Sequence, residues 1–256
     1  MPQDLTPAEA ARLALQCLDL TSLNEADTVA DIEALCRRAR SPFGTVAAVC
    51  VWPHFVGLAR GLLPTGIKVA AVANFPDGAL DLPLALADVR AIAAAGGDEV
   101  DVVLPYRALV QGRQAECAAF LTAVREACQG LTLKVIIESG ELATPTLIAQ
   151  ATRLALAAGA DFVKTSTGKT AVSATPDAAA VMLAEIAADA AGRAGFKASG
   201  GIRTVADAST YLRLTAQHLG PAALNPQRLR FGASGLLNDI EAQLAGQAPS
   251  GAASGY

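Results

Sequence analysis

The sequence predicts an α/β fold, a single (β/α)8 TIM barrel, and three observations lead there. Short β-branched or apolar runs alternate along the chain with Ala/Leu-rich helical patterns, which implies a parallel sheet. Eight such runs can be counted, enough to close the sheet on itself. The length of 256 residues matches one barrel of about 250 residues.

The elements follow in order. A helix over residues 6–16 precedes the first strand and is expected to cover the bottom of the barrel. Strands are expected at 17–21, 45–51, 68–75, 99–104, 133–138, 162–166, 196–200 and 230–234. Thr144-Pro145 and Thr175-Pro176 read as N-caps followed by an N1 proline, and Thr204 with Asp207 three residues on reads as a capping box. In the helix after Thr144, Leu147, Ile148, Ala151, Leu154, Ala155 and Ala158 fall on one face, the face expected against the sheet. Residues 1–245 are read as one barrel domain. Residues 246–256, GQAPSGAASGY, are read as a flexible tail.

Composition narrows the function. With 52% hydrophobic residues the core can be large, and a net charge of -4 leaves no basic footprint for nucleic acid or anionic membranes. The start of the chain, MPQDLTPAEAARLALQ, has neither the basic region nor the cleavage pattern of a secretion signal, so a cytoplasmic protein is expected. The five cysteines form no C-x-x-C pair and are expected as thiols. Two histidines, His54 and His218, are too few and too isolated for a His-based metal site or a Ser-His-Asp triad. No metal and no cofactor are expected.

Chemistry in such a barrel sits at the carboxyl ends of the strands. The most unusual residue there is Lys164, set in the apolar run of DFVKTSTGK, where strand alternation turns it inward. Burial disfavours the ammonium and favours a neutral, nucleophilic amine. The competing reading is a strand-end lysine whose head reaches water. Other polar strand ends are Asp19, Thr21, Cys50, Asn74, Asp101, Glu138, Lys197 and Ser234. Singly, Asp101 could be a satisfied core acid and Asp19 could brace a turn. Together, two lysines and at least two carboxylates converging on one barrel end suit amine catalysis on a carbonyl.

Two Gly-rich turns, Ser199-Gly200-Gly201 and Gly232-Ala233-Ser234-Gly235, precede the last helices. Bare backbone N–H groups at such turns bind anions, and the loops after strands 7 and 8 are a frequent phosphate site in barrels. Thr167-Gly168-Lys169 adds a third edge. The alternative is tight connection alone, since αβ units use glycine routinely.

The motifs LDLTSL, ANFPDG, EVDVVLPYRAL, LKVIIESGEL, DFVKTSTGK, GFKASGGIRT and RFGASGLL, in this order and spanning nearly the whole chain, resemble the deoxyribose-phosphate aldolase (DeoC) family in its longer bacterial form. The resemblance implies a lyase that forms a Schiff base with acetaldehyde and reversibly adds it to glyceraldehyde 3-phosphate. It implies Lys164 as the Schiff-base residue, with Lys197 and Asp101 as catalytic partners. It places Asp19, Thr21, Asn24, Cys50 and Thr167 about the sugar, and Gly168, Lys169, Gly200, Gly201, Gly232, Ser234 and Gly235 about the phosphate. It also implies a phosphosugar and an aldehyde as partners, a homodimer, and proton transfer by the terminal Tyr256, whose tail of eleven residues could extend about 35 Å. Gly235 stands where many relatives have a second Ser, and Ser199 where they have Ala.

The chemistry asks for these residue types. Lys164 must be neutral near pH 7, against an ordinary pKa of about 10.4. A second ammonium at roughly 5 Å opposes its charge by about 3 kcal/mol at an effective dielectric of about 20, some 2 pKa units. Asp101 would keep Lys197 charged and shuttle protons. Two other readings stay open: a Schiff-base phosphosugar enzyme of transaldolase or dehydratase type, and a phosphosugar-binding protein without catalysis.

Overall fold

The computed structural model describes residues 5–247, so residues 1–4 and 248–256, including Tyr256, lie outside the described residues. Eight parallel strands close into a barrel: β1 (Leu18–Thr21), β2 (Ala48–Val51), β3 (Lys68–Ala73), β4 (Glu99–Val103), β5 (Thr132–Ile136), β6 (Phe162–Lys164), β7 (Gly195–Ser199) and β8 (Leu229–Ala233). Each pairs with the next, and β1 closes the circle by pairing with both β2 and β8. The α/β barrel expected from the alternation is the fold observed.

Period-two alternation sorts the strand residues. On β7, Phe196 and Ala198 join the main apolar core, as do Val100 and Val102 of β4, Leu133 and Val135 of β5, and Leu229 and Phe231 of β8. Burying each large apolar side chain stabilises the fold by about 1.5–3 kcal/mol. The alternate residues line the barrel interior. On β2 and β3 these are Ala48, Cys50, Ala70 and Val72, which form a separate apolar cluster with Leu23. On the other strands many are charged, where a barrel of this kind ordinarily fills its interior with branched apolar groups.

The helix caps are those the sequence suggests. Thr144 accepts from the N–H of Leu147 and Thr175 from that of Ala178, each followed by an N1 proline, and Thr204 with Asp207 forms a reciprocal capping box. The first helix, Pro7–Gln16, packs against the helices Val205–Leu219 and Leu236–Leu244 and against a small hairpin, Arg40–Ser41 with Gly44–Thr45. That hairpin corrects the strand expected over 45–51: Thr45 pairs with Arg40, and only Ala48–Val51 enters the barrel. Strands β3 and β5 stop short of the expected 75 and 138 because Asn74 (φ 53°) and Glu138 (φ 54°) turn left-handed, which ends an extended run. β6 ends at Lys164 rather than at 166, although Thr165 still donates its N–H to the Lys197 carbonyl at 3.0 Å.

Candidate active site

Three adjacent strands each turn a lysine into the barrel. Lys164 on β6 pairs in register with Lys197 on β7 and with Ile136 on β5, which sets Lys134 one inward position below Lys164. From β4, Asp101 pairs with Lys134. All four side chains are buried, as are Asp19 on β1, Glu99 on β4 and Arg230 on β8.

Asp101 is the hub. Its Oδ2 accepts from Lys164 Nζ at 2.8 Å and from Lys197 Nζ at 2.7 Å, while its Oδ1 accepts from Lys134 Nζ at 2.8 Å. Lys197 also donates to Asp19. Lys134 additionally meets Glu99 at 2.5 Å and Asp19 at 3.2 Å. Arg230 ties the network to the lower end of the barrel through Asp19 (2.6 Å) and Glu99 (2.9 Å), with its guanidinium over the Phe162 ring.

The three lysines share burial but not the direction in which their pKa values move. Burial lowers Lys164, Lys197 adds to that, and the single carboxylate Asp101 does not reverse it, so its pKa lies below the ordinary 10.5. Burial pushes Lys197 down as well, but Asp101 and Asp19 outweigh it and the result is raised. Asp101, Asp19 and Glu99 together hold Lys134 well above its usual range. Burial would raise Asp101, yet Lys134, Lys164 and Lys197 keep it well below the carboxylate range. Removal from water is therefore the first cause of the lowered pKa of Lys164, ahead of the neighbouring ammonium that the sequence made prominent. Cys50 on β2 borders this group, its thiol raised by burial and then by Asp101.

The mouth is built by loops. Glu138 is fully buried; its carboxylate accepts from the N–H of Thr167 at 3.2 Å, from Thr167 Oγ1 at 2.5 Å and from Thr170 Oγ1 at 3.2 Å, bracing the turn after β6. From that turn Lys169 reaches across the mouth and donates to the Leu23 carbonyl after β1 at 2.8 Å. Gly168, Gly200 and Gly201 all have positive φ, and a Cβ placed on Gly200 would sit 3.3 Å from Gly168 Cα and 2.5 Å from Ser173. The loops after β6 and β7 thus touch backbone to backbone. Gly232 lies inside β8, where a Cβ would fall 2.6 Å from Ser199 Oγ and 3.1 Å from Lys197 Cε, so its bareness makes room for Lys197. Ser234 and Gly235 are exposed just before the helix Leu236–Leu244, and a Cβ on Gly235 would meet open space. Beside the mouth, a cavity of about 200 Å³ is lined by Trp52, Val72, Asn74, Phe75 and Asp88.

The structure thus brings Lys164, Lys197, Asp101, Asp19 and Cys50 together in the interior, and Thr167, Lys169 and the glycine turns at the rim. Thr21 is half-buried and donates its hydroxyl to the Asp19 carbonyl. Asn24 is exposed, its amide donating to Ser22 Oγ and Asp27 Oδ1 within its own turn. The residues the sequence reading left out are Lys134, Glu99 and Arg230. Their signal was present: each is a charge within an apolar strand, at the inward parity of Asp101 or Gly232. All five cysteines are buried thiols.

The chain matches a known family and several known proteins. Residues 13–242 match the family described as DeoC/LacD family aldolase. A deoxyribose-phosphate aldolase of Agrobacterium fabrum is 48% identical over 98% of this chain and 97% of its own. A crystal structure of a protein from Coccidioides immitis described as a deoxyribose-phosphate aldolase superposes with a TM-score of 0.78 at 31% identity, covering 90% of this chain and 86% of that one. A deoxyribose phosphate aldolase from Aeropyrum pernix, described as a unique tetrameric structure, superposes with a TM-score of 0.70 at 27% identity over 93% and 92% of the two chains. With an amine-and-carboxylate centre inside a closed barrel and a matching family over most of its length, the chain belongs to the DeoC/LacD family of aldolases.

Proposed function

We propose that this aldolase reversibly cleaves 2-deoxy-D-ribose 5-phosphate to acetaldehyde and D-glyceraldehyde 3-phosphate through an imine on Lys164. One observation carries the assignment of the lysine: among the described residues Lys164 is the interior lysine held by a single carboxylate oxygen, which it shares with Lys197. A neutral Lys164 Nζ adds to the C1 aldehyde, and loss of water from the carbinolamine gives a protonated imine. That imine is the electron sink for breaking the C2–C3 bond, while the C3 hydroxyl proton leaves as the new aldehyde forms. Protonation at C2 of the resulting enamine and hydrolysis release acetaldehyde and return Lys164.

Asp101 sits within hydrogen-bond reach of Lys164, and Lys197 donates to the same Asp101 oxygen, which supports their handling the protons of these steps. Asp19 and Cys50 then border the sugar end, with Thr21, Asn24 and Thr167 above them. The backbone N–H groups of Gly168, Gly200, Gly201, Gly232 and Gly235, with Lys169 and Ser234, take the phosphate. Tyr256, outside the described residues, is assigned proton transfer at the enamine carbon. Residues 1–245 form the barrel domain, and residues 246–256 supply Tyr256. A homo-oligomer, with a dimer as its smallest form, completes the assembly. Among the described residues no helix is long and apolar enough to cross a membrane. A doubly charged phosphosugar is retained inside cells, which supports a cytoplasmic enzyme. Incubating the purified protein with 2-deoxyribose 5-phosphate tests the reading: acetaldehyde and glyceraldehyde 3-phosphate should appear in equal amounts. Binding without acetaldehyde release would contradict it.

A further inference from the structure

The charges sealed inside the barrel do not cancel. In the ion-pair network of the strands, Asp19, Glu99 and Asp101 provide three negative charges, against as many as four positive ones from Lys134, Lys164, Lys197 and Arg230; the other buried carboxylates, Glu138 and Asp239, bond instead to Thr167 and to the N–H of Val205, outside this network. An uncompensated charge in a low-dielectric interior is unfavourable, and a group able to shed a proton relieves it. Arginine does not do so at working pH. The relief therefore falls on a lysine, and the contacts decide which. Lys134 meets Glu99, Asp101 and Asp19; Lys197 meets Asp101 and Asp19; Lys164 meets Asp101 alone. The groups facing Lys164 are Asp101 from β4, Lys197 from β7 and the Cys50 thiol from β2, with Lys134 of β5 and Asp19 of β1 behind them.

We propose that Lys134 is a positioning residue for the imine chemistry: its buried ammonium ties up carboxylates of Asp101, Asp19 and Glu99, leaving the interior one positive charge in excess, and Lys164 is the group that gives up a proton. The proposal rests on Lys164 being the imine lysine. Lys134 acts through the carboxylates and need not touch substrate. Its removal leaves three cations facing three carboxylates, and Lys164 keeps its proton. Removal of Glu99, which contacts Lys134 and Arg230 at the far end of the network, leaves four cations facing two carboxylates, and Lys164 loses its proton more readily.

The test uses the full chain with acetaldehyde and borohydride, reading the initial rate of adduct formation on the Lys164 peptide as a function of pH. In Lys134→Met the acidic limb should move up by about one pH unit or more, and in Glu99→Gln it should move down. The double variant restores the excess of one and should lie nearer to wild type than either single change. Lys134→Arg keeps the charge and should keep the limb in place. Glu99→Gln is nearly isosteric and probes the same balance from the other side, so the proposal stays exposed even where Lys134→Met fails to fold. Limbs that move in the same direction in both single variants, or an unmoved or raised limb in Glu99→Gln, overturn it. An adduct mapped away from Lys164 in the wild type would instead overturn the imine assignment and leave the role of Lys134 aside.

Discussion

Lys164 and Lys197 face each other in register across β6 and β7 and share one oxygen of Asp101, at 2.8 and 2.7 Å. Two ammonium groups on one carboxylate oxygen cannot both be fully compensated. Lys197 has Asp19 as a second partner, whereas Lys164 has no second carboxylate among the described residues, so the ammonium of Lys164 is the less compensated of the two.

Replacing Lys197 by Leu should therefore leave Asp101 Oδ2 to Lys164 and raise the pKa of Lys164. The acidic limb of kcat/KM should shift to higher pH, with kcat falling as well through the loss of a proton donor. Lys169→Leu, at the rim, should mainly raise KM for the phosphosugar. A pH–rate profile of both variants checks this, and an unmoved limb in Lys197→Leu removes the electrostatic role.

The lowered pKa of Lys164 also has a sign for stability. The unfolded chain binds this proton up to the ordinary 10.5 while the native protein sheds it earlier, so native stability from this group rises with pH between the lowered value and 10.5. Lys164→Met removes that dependence. Its melting temperature should exceed that of wild type most near neutral pH, and the difference should narrow toward about pH 10. Melting curves across that range decide the matter.

Gly200 and Gly235 should respond oppositely to added side chains. Gly200→Ala forces a Cβ at φ 85° into Ser173, and should destabilise by about 1–3 kcal/mol and raise KM for the phosphosugar. Gly235 has φ −86° and open space, so Gly235→Ser should fold as wild type and lower KM by adding a hydroxyl at the start of the last helix. Denaturant melts and Michaelis–Menten curves for each variant measure both effects.

Glu138 is the brace of the rim. Glu138→Ala leaves the buried N–H of Thr167 without its acceptor and should lower stability by about 2–3 kcal/mol. The turn carrying Gly168 and Lys169 loosens with it, so KM for 2-deoxyribose 5-phosphate should rise more than KM for acetaldehyde in the reverse reaction.

Much of this molecule is readable from its sequence, for identifiable reasons. Alternating apolar runs and helices imply the barrel because parallel strands need helical crossovers, and Lys164 stands out because an ammonium in an apolar strand requires an explanation. Lys134 and Arg230 carry the same mark in LKVI and LRFGA. They are less visible because both lie ahead of the carboxyl ends of their strands, where chemistry is looked for; only strand register places them against Asp101, Asp19 and Glu99. The split of residues 45–51 was hidden for a similar reason. Thr45 has strand character, and its partner Arg40 follows a helix with little β signal of its own. The rank of burial over Lys197 as the influence on Lys164 depends on how completely the barrel excludes water, a property of packing rather than of any motif.

The most direct test of this account is borohydride reduction of the wild-type protein in the presence of acetaldehyde, followed by peptide mass mapping. The account predicts a two-carbon adduct on Lys164, absent from Lys134, Lys197 and Lys169, and lost in Lys164→Met. An adduct on Lys197 or Lys134, or on no interior lysine, would contradict it.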